Sequence, residues 1–207
     1  MDGLSIYLLM ADVYYTIAHE GNGKFTDRMS RFLGFAFKVT DVEEAKSKIK
    51  AFQNEYHDAR HVCWAYMIGK DRTQWQLNDN GEPSGTAGKP ILGQINSRNL
   101  TDVLVIVVRY FGGIKLGTPG LINAYREAAS LSLDDAGKME MHSMTTVKIR
   151  FPYVSGDGVM KAIKNSDAEV LSREFDNVCE IKLQIREDKA QELVGKIIKA
   201  GASVLQE

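Results

Sequence analysis

The chain has 207 residues, of which 44% are hydrophobic and 26% are charged, and its formal net charge is −1. This length is comfortable for two globular domains that each bury a hydrophobic core. Charge is balanced along the chain: residues 1–143 hold sixteen basic and seventeen acidic side chains, and residues 144–207 hold ten of each. The balance excludes a polybasic arm that binds nucleic acid through net charge alone, but it does not exclude a local basic face.

The start of the chain carries the weakest pattern. Its apolar segment, residues 4–11, is too short to span a bilayer and lacks the basic start and cleavage pattern of a signal peptide. We therefore predict that residues 1–12 are an N-terminal extension without fixed structure and that the protein is cytoplasmic, with no membrane contact. Cys63 and Cys179 fall in different parts of the chain inside strand-like runs, which indicates reduced thiols and no disulfide.

Residues 13–140 alternate strand and helix patterns and are predicted to form the first domain. Strands are expected over residues 14–19, 31–39, 61–68 and 74–77, with a turn at Gly21-Asn22-Gly23. A helix is expected over residues 42–56, with Asp41 as N-cap and Glu44 completing a capping box. His57, His61 and Cys63 are zinc-ligand types, but no fourth ligand follows at recognisable spacing, so no metal is predicted.

The segment NDNGEPSGTAGKP, residues 78–90, is a loop rich in glycine and proline that leads into an apolar helix. It is not a Walker loop, because Pro83 and Pro90 replace the first glycine and the magnesium-binding hydroxyl. Asp79 and Glu82 supply carboxylates, and the Thr86 hydroxyl is suited to cap the helix or bind a ligand. Ordinary turn chemistry is the alternative interpretation of this segment.

A second such segment is VLVIVVRYFGGIKLGTPGL, residues 103–121. Its apolar first half predicts a central strand buried on both faces, followed by Arg109 and a glycine turn. Thr118-Pro119 predicts an N-cap and first helical position, and the helix is expected to continue to residue 136. Exposed N–H groups at such a helix start favour anions. The alternative is that the glycines only let the chain bend and that Arg109 pairs with Glu82 or Asp79.

These segments, with RMSRF at residues 28–32 and ARHVCWAY at residues 59–66, resemble the IMPACT/YigZ family of bacteria and eukaryotes. Two departures appear: Pro119 stands where the family often has glycine, and Met29 where it often has a basic residue. The resemblance implies an α+β fold of two domains similar to domains IV and V of elongation factor G, the first also shared with a small-subunit ribosomal protein. Eukaryotic relatives act in translational control under amino-acid starvation, through a different partner domain.

After a polar link at residues 138–144, residues 145–207 read as a ferredoxin-like domain with β-α-β-β-α-β order. Strands are expected over residues 145–153, 169–175, 178–186 and 203–206, and helices over residues 158–165 and 190–200, with a hairpin turn at Asp176-Asn177. The strands lack the run of aromatic and basic residues that marks RNA-recognition domains.

Two functional hypotheses follow. The first is a translation-associated or regulatory protein that binds RNA or a ribosome-linked protein, with Arg28, Arg31, Arg109 and Lys115 contacting phosphates. The second is an enzyme or sensor for a small phosphorylated or carboxylated metabolite, with Asp79 or Glu82 as base. No nucleophile–base pair, metal cluster or cofactor motif is recognisable, so we favour binding over catalysis. The predicted anion or partner site comprises Arg28, Arg31, Asp79, Glu82, Gly85, Thr86, Gly88, Arg109, Tyr110, Gly112, Gly113, Lys115, Gly117 and Thr118.

Overall fold

The structure is a computed structural model that describes residues 13–175 and 178–205. These residues form a mixed α+β structure divided into two compact units, a first unit of residues 14–141 and a second unit from residue 142 onward. The predicted N-terminal extension, residues 1–12, and the predicted turn at Asp176-Asn177 lie outside the described residues. Independent folding of the two predicted domains, residues 13–140 and 145–207, stays a prediction.

The first unit contains a five-stranded antiparallel sheet in the order β2-β3-β6-β4-β5. Strands β1 and β7 form a separate two-stranded sheet. The elements of this unit are β1 (Val13–Ile17), β2 (Gly21–Asp27), β3 (Ser30–Lys38), α1 (Val42–Glu55), β4 (His61–Ile68), β5 (Gln74–Asn78), α2 (Gly88–Ser97), β6 (Val103–Tyr110), α3 (Gly117–Ala136) and β7 (Lys138–His142).

Strand β6 is the middle strand of this sheet, as its unbroken apolar run predicts. Every side chain from Val103 to Val108 is fully buried, because α1 covers one face of the sheet while α2 and α3 cover the other. The strand ends where the covering helices leave an opening. Arg109 lies at that end, so the helices that build the core also leave room for a site.

Helix α3 lies directly on the backbone of β2 and β3. A Cβ added to Gly21 would stand 2.2 Å from the Ser132 carbonyl oxygen, and one added to Gly34 would stand 2.2 Å from that of Ala128. The predicted turn at Gly21-Asn22-Gly23 is therefore wrong: these residues belong to β2, and their glycines permit close approach of the helix.

Helix starts show which capping predictions were right. Asp41 caps α1 as predicted, by accepting from the Glu44 N–H at 2.8 Å. The predicted capping box is not formed, because the Glu44 carboxylate accepts from the Thr40 N–H at 2.9 Å and not from the Asp41 N–H. Thr118 is not an N-cap, because α3 begins one residue earlier, at Gly117, and has no side-chain cap. The predicted polar link at residues 138–144 is also wrong, since most of it forms β7 and pairs with β1.

The second unit has the predicted β-α-β-β-α-β order, with all strand pairs antiparallel and the sheet order β11-β8-β10-β9. Its elements are β8 (Met144–Phe151), α4 (Gly156–Lys164), β9 (Glu169–Phe175), β10 (Cys179–Arg186), α5 (Glu187–Lys199) and β11 (Ser203–Leu205). Ile149 and Ile181 are fully buried in its core, together with Val159 of α4 and Ile197 of α5. Within the described residues, no helix combines the length and apolar character needed to cross a bilayer.

Candidate functional site

A cleft of about 420 Å³ opens at the end of β6 in the first unit. Two connections form its walls: the β5–α2 loop, residues 79–87, and the β6–α3 loop, residues 111–116. The cleft is lined by Arg60, His61, Gly81, Glu82, Pro83, Arg109, Phe111, Lys115, Leu116, Gly117, Thr118 and Leu121. Arg109 of β6 and the β5–α2 loop meet in this cleft.

A buried ion pair lies at the base of the cleft. Arg109 Nη1 stands 2.6 Å from Glu82 Oε1, and the two side chains are only 7% and 3% exposed. The Tyr125 hydroxyl, which is fully buried on α3, donates to the same oxygen at 2.8 Å. This geometry corresponds to the alternative interpretation of Arg109, in which the guanidinium pairs with a carboxylate of the chain.

Two polar atoms of this pair are left without a partner among the described residues. Arg109 Nε is buried and makes no hydrogen bond. Glu82 Oε2 also receives no hydrogen bond from the described residues. Unlike Arg109 Nε, it is not fully enclosed, so it keeps an opening toward the cleft. His61 Nε2 stands 3.9 Å from Glu82 Oε1, too far for a hydrogen bond. At the cleft, the pair therefore retains an acceptor, Glu82 Oε2, whereas Arg109 Nε is enclosed.

Asp79 has a different role, because its carboxylate holds the β5–α2 loop together. Its oxygens accept from the backbone N–H groups of Gly85, Ala87 and Gly88 at 2.8–2.9 Å. Burial by itself would raise the pKa of Asp79, but these three donors and nearby Lys89 outweigh it, so the pKa lies below its ordinary value.

The predicted donors of this loop are therefore already bound within the chain. Gly85 and Gly88 donate to Asp79, and the Thr86 hydroxyl donates to the Pro83 carbonyl oxygen at 2.7 Å. Thr86 is 1% exposed. An external ligand would meet the Glu82 side of the loop and not these amides.

The two glycines of the β6–α3 loop meet different requirements. A Cβ added to Gly112 would stand 2.1 Å from the backbone carbon of Met29, and the Gly112 N–H donates to the Ser30 hydroxyl at 3.1 Å. Gly112 therefore packs the loop onto the β2–β3 turn. Gly113 adopts a φ of +91°, a left-handed conformation that favours glycine. A Cβ added to Gly113 would meet no atom of the described residues within 4 Å.

Basic side chains stand around the mouth of the cleft. Lys115 and Arg60 line it and are exposed, and Arg28 Nη1 lies 3.4 Å from the Lys115 carbonyl oxygen. None of these three cations has a carboxylate within 4 Å among the described residues. Gly117 and Thr118 bring the uncapped start of α3 to the same place. We call Arg28, Arg60 and Lys115 the basic rim.

Arg31 and Tyr110 lie on the opposite face of the sheet from the cleft. They are paired neighbours on β3 and β6, with the Arg31 guanidinium 5.1 Å from the Tyr110 ring centroid. Tyr110 also donates to Asp58 at 3.0 Å. Successive side chains of a strand point to opposite faces, so Tyr110 cannot share the face of Arg109. The structure therefore separates these two predicted site residues from the rest.

Sequence reasoning did not place Arg60, His61, Phe111 and Tyr125 in the site. Tyr125 carried a usable signal, because a tyrosine on the buried face of a helix needs a hydroxyl partner. Cys63, which donates to Tyr125 at 3.3 Å, is not a reactive thiol: burial is the main cause that raises its pKa, to about 12.

Comparison with known proteins gives the family. The sequence pattern of the Impact N-terminal domain matches residues 28–133. An IMPACT family member of Haemophilus influenzae is 33% identical over 182 residues, which cover 87% of this chain and 84% of that protein. YvyE of Bacillus subtilis, also an IMPACT family member, is 39% identical over 135 residues, or 65% of this chain and 62% of that protein.

Among solved structures, one described as a hypothetical protein superposes with a TM-score of 0.71 at 26% identity, covering 95% of this chain and 98% of that chain. The domain match spans the strands, loops and helix start that build the cleft. This chain therefore belongs to the IMPACT family, whose members also include eukaryotic proteins named IMPACT.

Proposed function

We propose that this protein is a translation-associated regulatory binding protein of the cytoplasm, and that its first unit contacts RNA phosphates at the cleft. Membership of the IMPACT family supports the regulatory part of the proposal, because the resemblance implies translational control for eukaryotic relatives. The likeness to domains IV and V of elongation factor G belongs to the same proposal, since it would suit a protein that approaches ribosomal RNA.

The observation that carries the RNA contact is the basic rim. Arg28, Arg60 and Lys115 have no carboxylate within ion-pair distance in the described chain, and they surround the uncapped start of a twenty-residue helix. Unpaired cations and helix N-termini both favour phosphate groups.

The acidic residues near the rim do not cancel this preference. The charge of Glu82 is matched by Arg109 at 2.6 Å, and Asp79, which keeps its charge, has Lys89 nearby and does not line the cleft. The positive charge of the basic rim is therefore left to attract a polyanion, and we favour RNA over a protein partner for this surface.

The test is binding of a single-stranded RNA twelve-mer, followed by fluorescence anisotropy over a series of salt concentrations. If Lys115 contacts a phosphate, Lys115→Ala should weaken binding and reduce the slope of log K against log salt by about 0.7. Lys50→Ala is the matched control, because Lys50 is an exposed lysine on α1, which packs on the other face of the sheet. Equal effects of the two substitutions, or a salt-independent affinity, would contradict the proposal.

A second candidate is an enzyme or sensor for a small phosphorylated or carboxylated metabolite. It is favoured by Glu82 Oε2, which has no donor and faces a cleft large enough for a small molecule. Glu82, and not Asp79, is then the candidate base, because the Asp79 oxygens are already occupied. Stabilisation of the first unit by a sugar phosphate, in a protein that does not bind the RNA twelve-mer, would favour this candidate.

A further inference from the structure

We propose that the cleft holds one ribonucleoside phosphate, either free or at the end of an RNA strand, with its base against Phe111 and its phosphate at the start of α3. A sugar hydroxyl then donates to Glu82 Oε2. This inference rests on the proposed anion site and specifies what that site accepts.

The phosphate position is defined by the start of α3. Leu116 provides no capping side chain, and Pro119 has no N–H, so the N–H groups of Gly117 and Thr118 are the ones that a ligand at the helix start would meet. Lys115 adds a charge, and the exposed Thr118 hydroxyl has no partner in the described chain. Beneath them lies Arg109, whose side chain is 7% exposed and whose unpaired Nε is fully enclosed, so this Nε is not available to an anion. An anion here meets dipole, charge and donors together.

The hydroxyl position is defined by Glu82. Its Oε1 is fixed by Arg109 at 2.6 Å and by Tyr125 at 2.8 Å, which orients the whole carboxylate. Its Oε2 receives no hydrogen bond from the described residues, although the side chain is only 3% exposed. Because this oxygen opens on the cleft and is held in a fixed orientation, it is placed to accept a hydrogen bond from a ligand hydroxyl.

The base position is defined by Phe111. This large aromatic side chain is 47% exposed and lines the cleft beside Pro83, Leu116 and Leu121, which makes one wall of the cleft apolar. The Arg109 guanidinium stands 5.5 Å from its ring centroid and also contacts Glu82. One side chain thus spaces the ring surface from the carboxylate, with the phosphate position at the adjacent helix start. The cleft thus has neighbouring positions for a flat ring, a hydroxyl and a phosphate, which are the parts of a nucleotide.

Isothermal titration with inorganic phosphate, ribose 5-phosphate and adenosine 5′-monophosphate separates these parts. We expect the nucleotide to bind about tenfold more tightly than ribose 5-phosphate, since stacking on an aromatic ring contributes about that factor. Phe111→Ala should remove the difference and leave ribose 5-phosphate binding unchanged. Ile114→Ala is the control, because Ile114 is 49% exposed in the same loop and does not line the cleft.

The outcomes distinguish this inference from the proposed function. A nucleotide that binds no more tightly than ribose 5-phosphate overturns the ring position while leaving the anion site in place. Failure of all three compounds to bind overturns the anion site itself. If the nucleotide binds, two RNA hexamers that differ only in a 5′-phosphate or a 5′-hydroxyl are compared. Tighter binding of the 5′-phosphate hexamer assigns the cleft to a strand end, and equally weak binding of both assigns it to the free nucleotide.

Discussion

Arg109→Ala would leave the Glu82 carboxylate buried without its positive partner. The two side chains are 7% and 3% exposed and 2.6 Å apart, so water cannot readily replace the lost charge. Removing one member of a buried ion pair costs about 3–5 kcal/mol. Tyr125 would still donate to Glu82, which favours the lower end of that range. The first unit should therefore remain folded but unfold at clearly lower denaturant.

A double-mutant cycle isolates the pair. Arg109→Met alone strands the Glu82 carboxylate and Glu82→Leu alone strands the Arg109 guanidinium, whereas the two substitutions together remove both charges and keep apolar volume. Replacing a whole buried pair by apolar residues is often close to neutral, but the double variant also leaves the Tyr125 hydroxyl without its acceptor, so it should lie within about 1–3 kcal/mol of the parent protein. The two single losses should then be strongly non-additive.

Equilibrium unfolding in urea, followed by tryptophan fluorescence, measures these differences. Both tryptophans of the chain, Trp64 and Trp75, lie in the first unit, so the signal reports on the unit that holds the pair. A loss below about 1 kcal/mol for Arg109→Ala, or losses that simply add in the double variant, would refute the reasoning and indicate that Arg109 is kept for a ligand.

Three other predictions concern loops and modularity. Asp79→Ala should cost roughly 1–2 kcal/mol near neutral pH, because three backbone N–H groups of the β5–α2 loop lose their acceptor. The folded pKa of Asp79 lies below 3.8, so this stability is present above that value and is lost as the pH falls through the folded pKa. Urea unfolding should therefore show a smaller stability difference between variant and parent at pH 3 than at pH 7, and an unchanged difference would contradict this prediction. Met29→Gly should stabilise the first unit by up to about 1 kcal/mol, because Arg28 and Met29 both adopt positive φ in a two-residue hairpin turn. The shift in melting temperature measures this gain in stability, and a lower melting temperature would refute the prediction. Residues 142–207 expressed alone should unfold cooperatively by circular dichroism, and a gradual transition would show that this unit depends on the first.

Local patterns in the sequence were sufficient for most of the elements. The run from Val103 to Val108 predicted the central strand because a strand buried on both faces needs no polar alternation. Asp41 and Glu44 predicted the start of α1 because capping involves residues a few positions apart. The error at Gly21 has the opposite cause: only the distant helix α3 explains why a strand contains glycine there.

The candidate site depended more on contacts between distant residues. Arg109 and Glu82 are 27 positions apart, and Tyr125 and Glu82 are 43 apart, so no spacing rule identifies them as partners. Strand alternation did imply that Arg109 and Tyr110 face opposite ways, but the face that opens to the cleft is set by where α3 packs. The loop amides were predicted to be donors, which they are; their acceptor is Asp79 of the same loop.

The charged residues at the cleft fall into two groups, those that stabilise the fold and those that are available to bind a ligand. The charge of Arg109 is matched by Glu82, and the Asp79 carboxylate, which does not line the cleft, is held by backbone N–H groups with Lys89 nearby, so these groups hold the two loops in place. Lys115 has no carboxylate partner in the described chain, so its charge costs the fold little and is left to act on a ligand. Substitutions of Arg109 should therefore change unfolding more than affinity, and substitutions of Lys115 should do the reverse. Measuring the free energy of unfolding and the ligand affinity for variants of Arg109 and of Lys115 separates the residues that stabilise the cleft from those that bind its ligand.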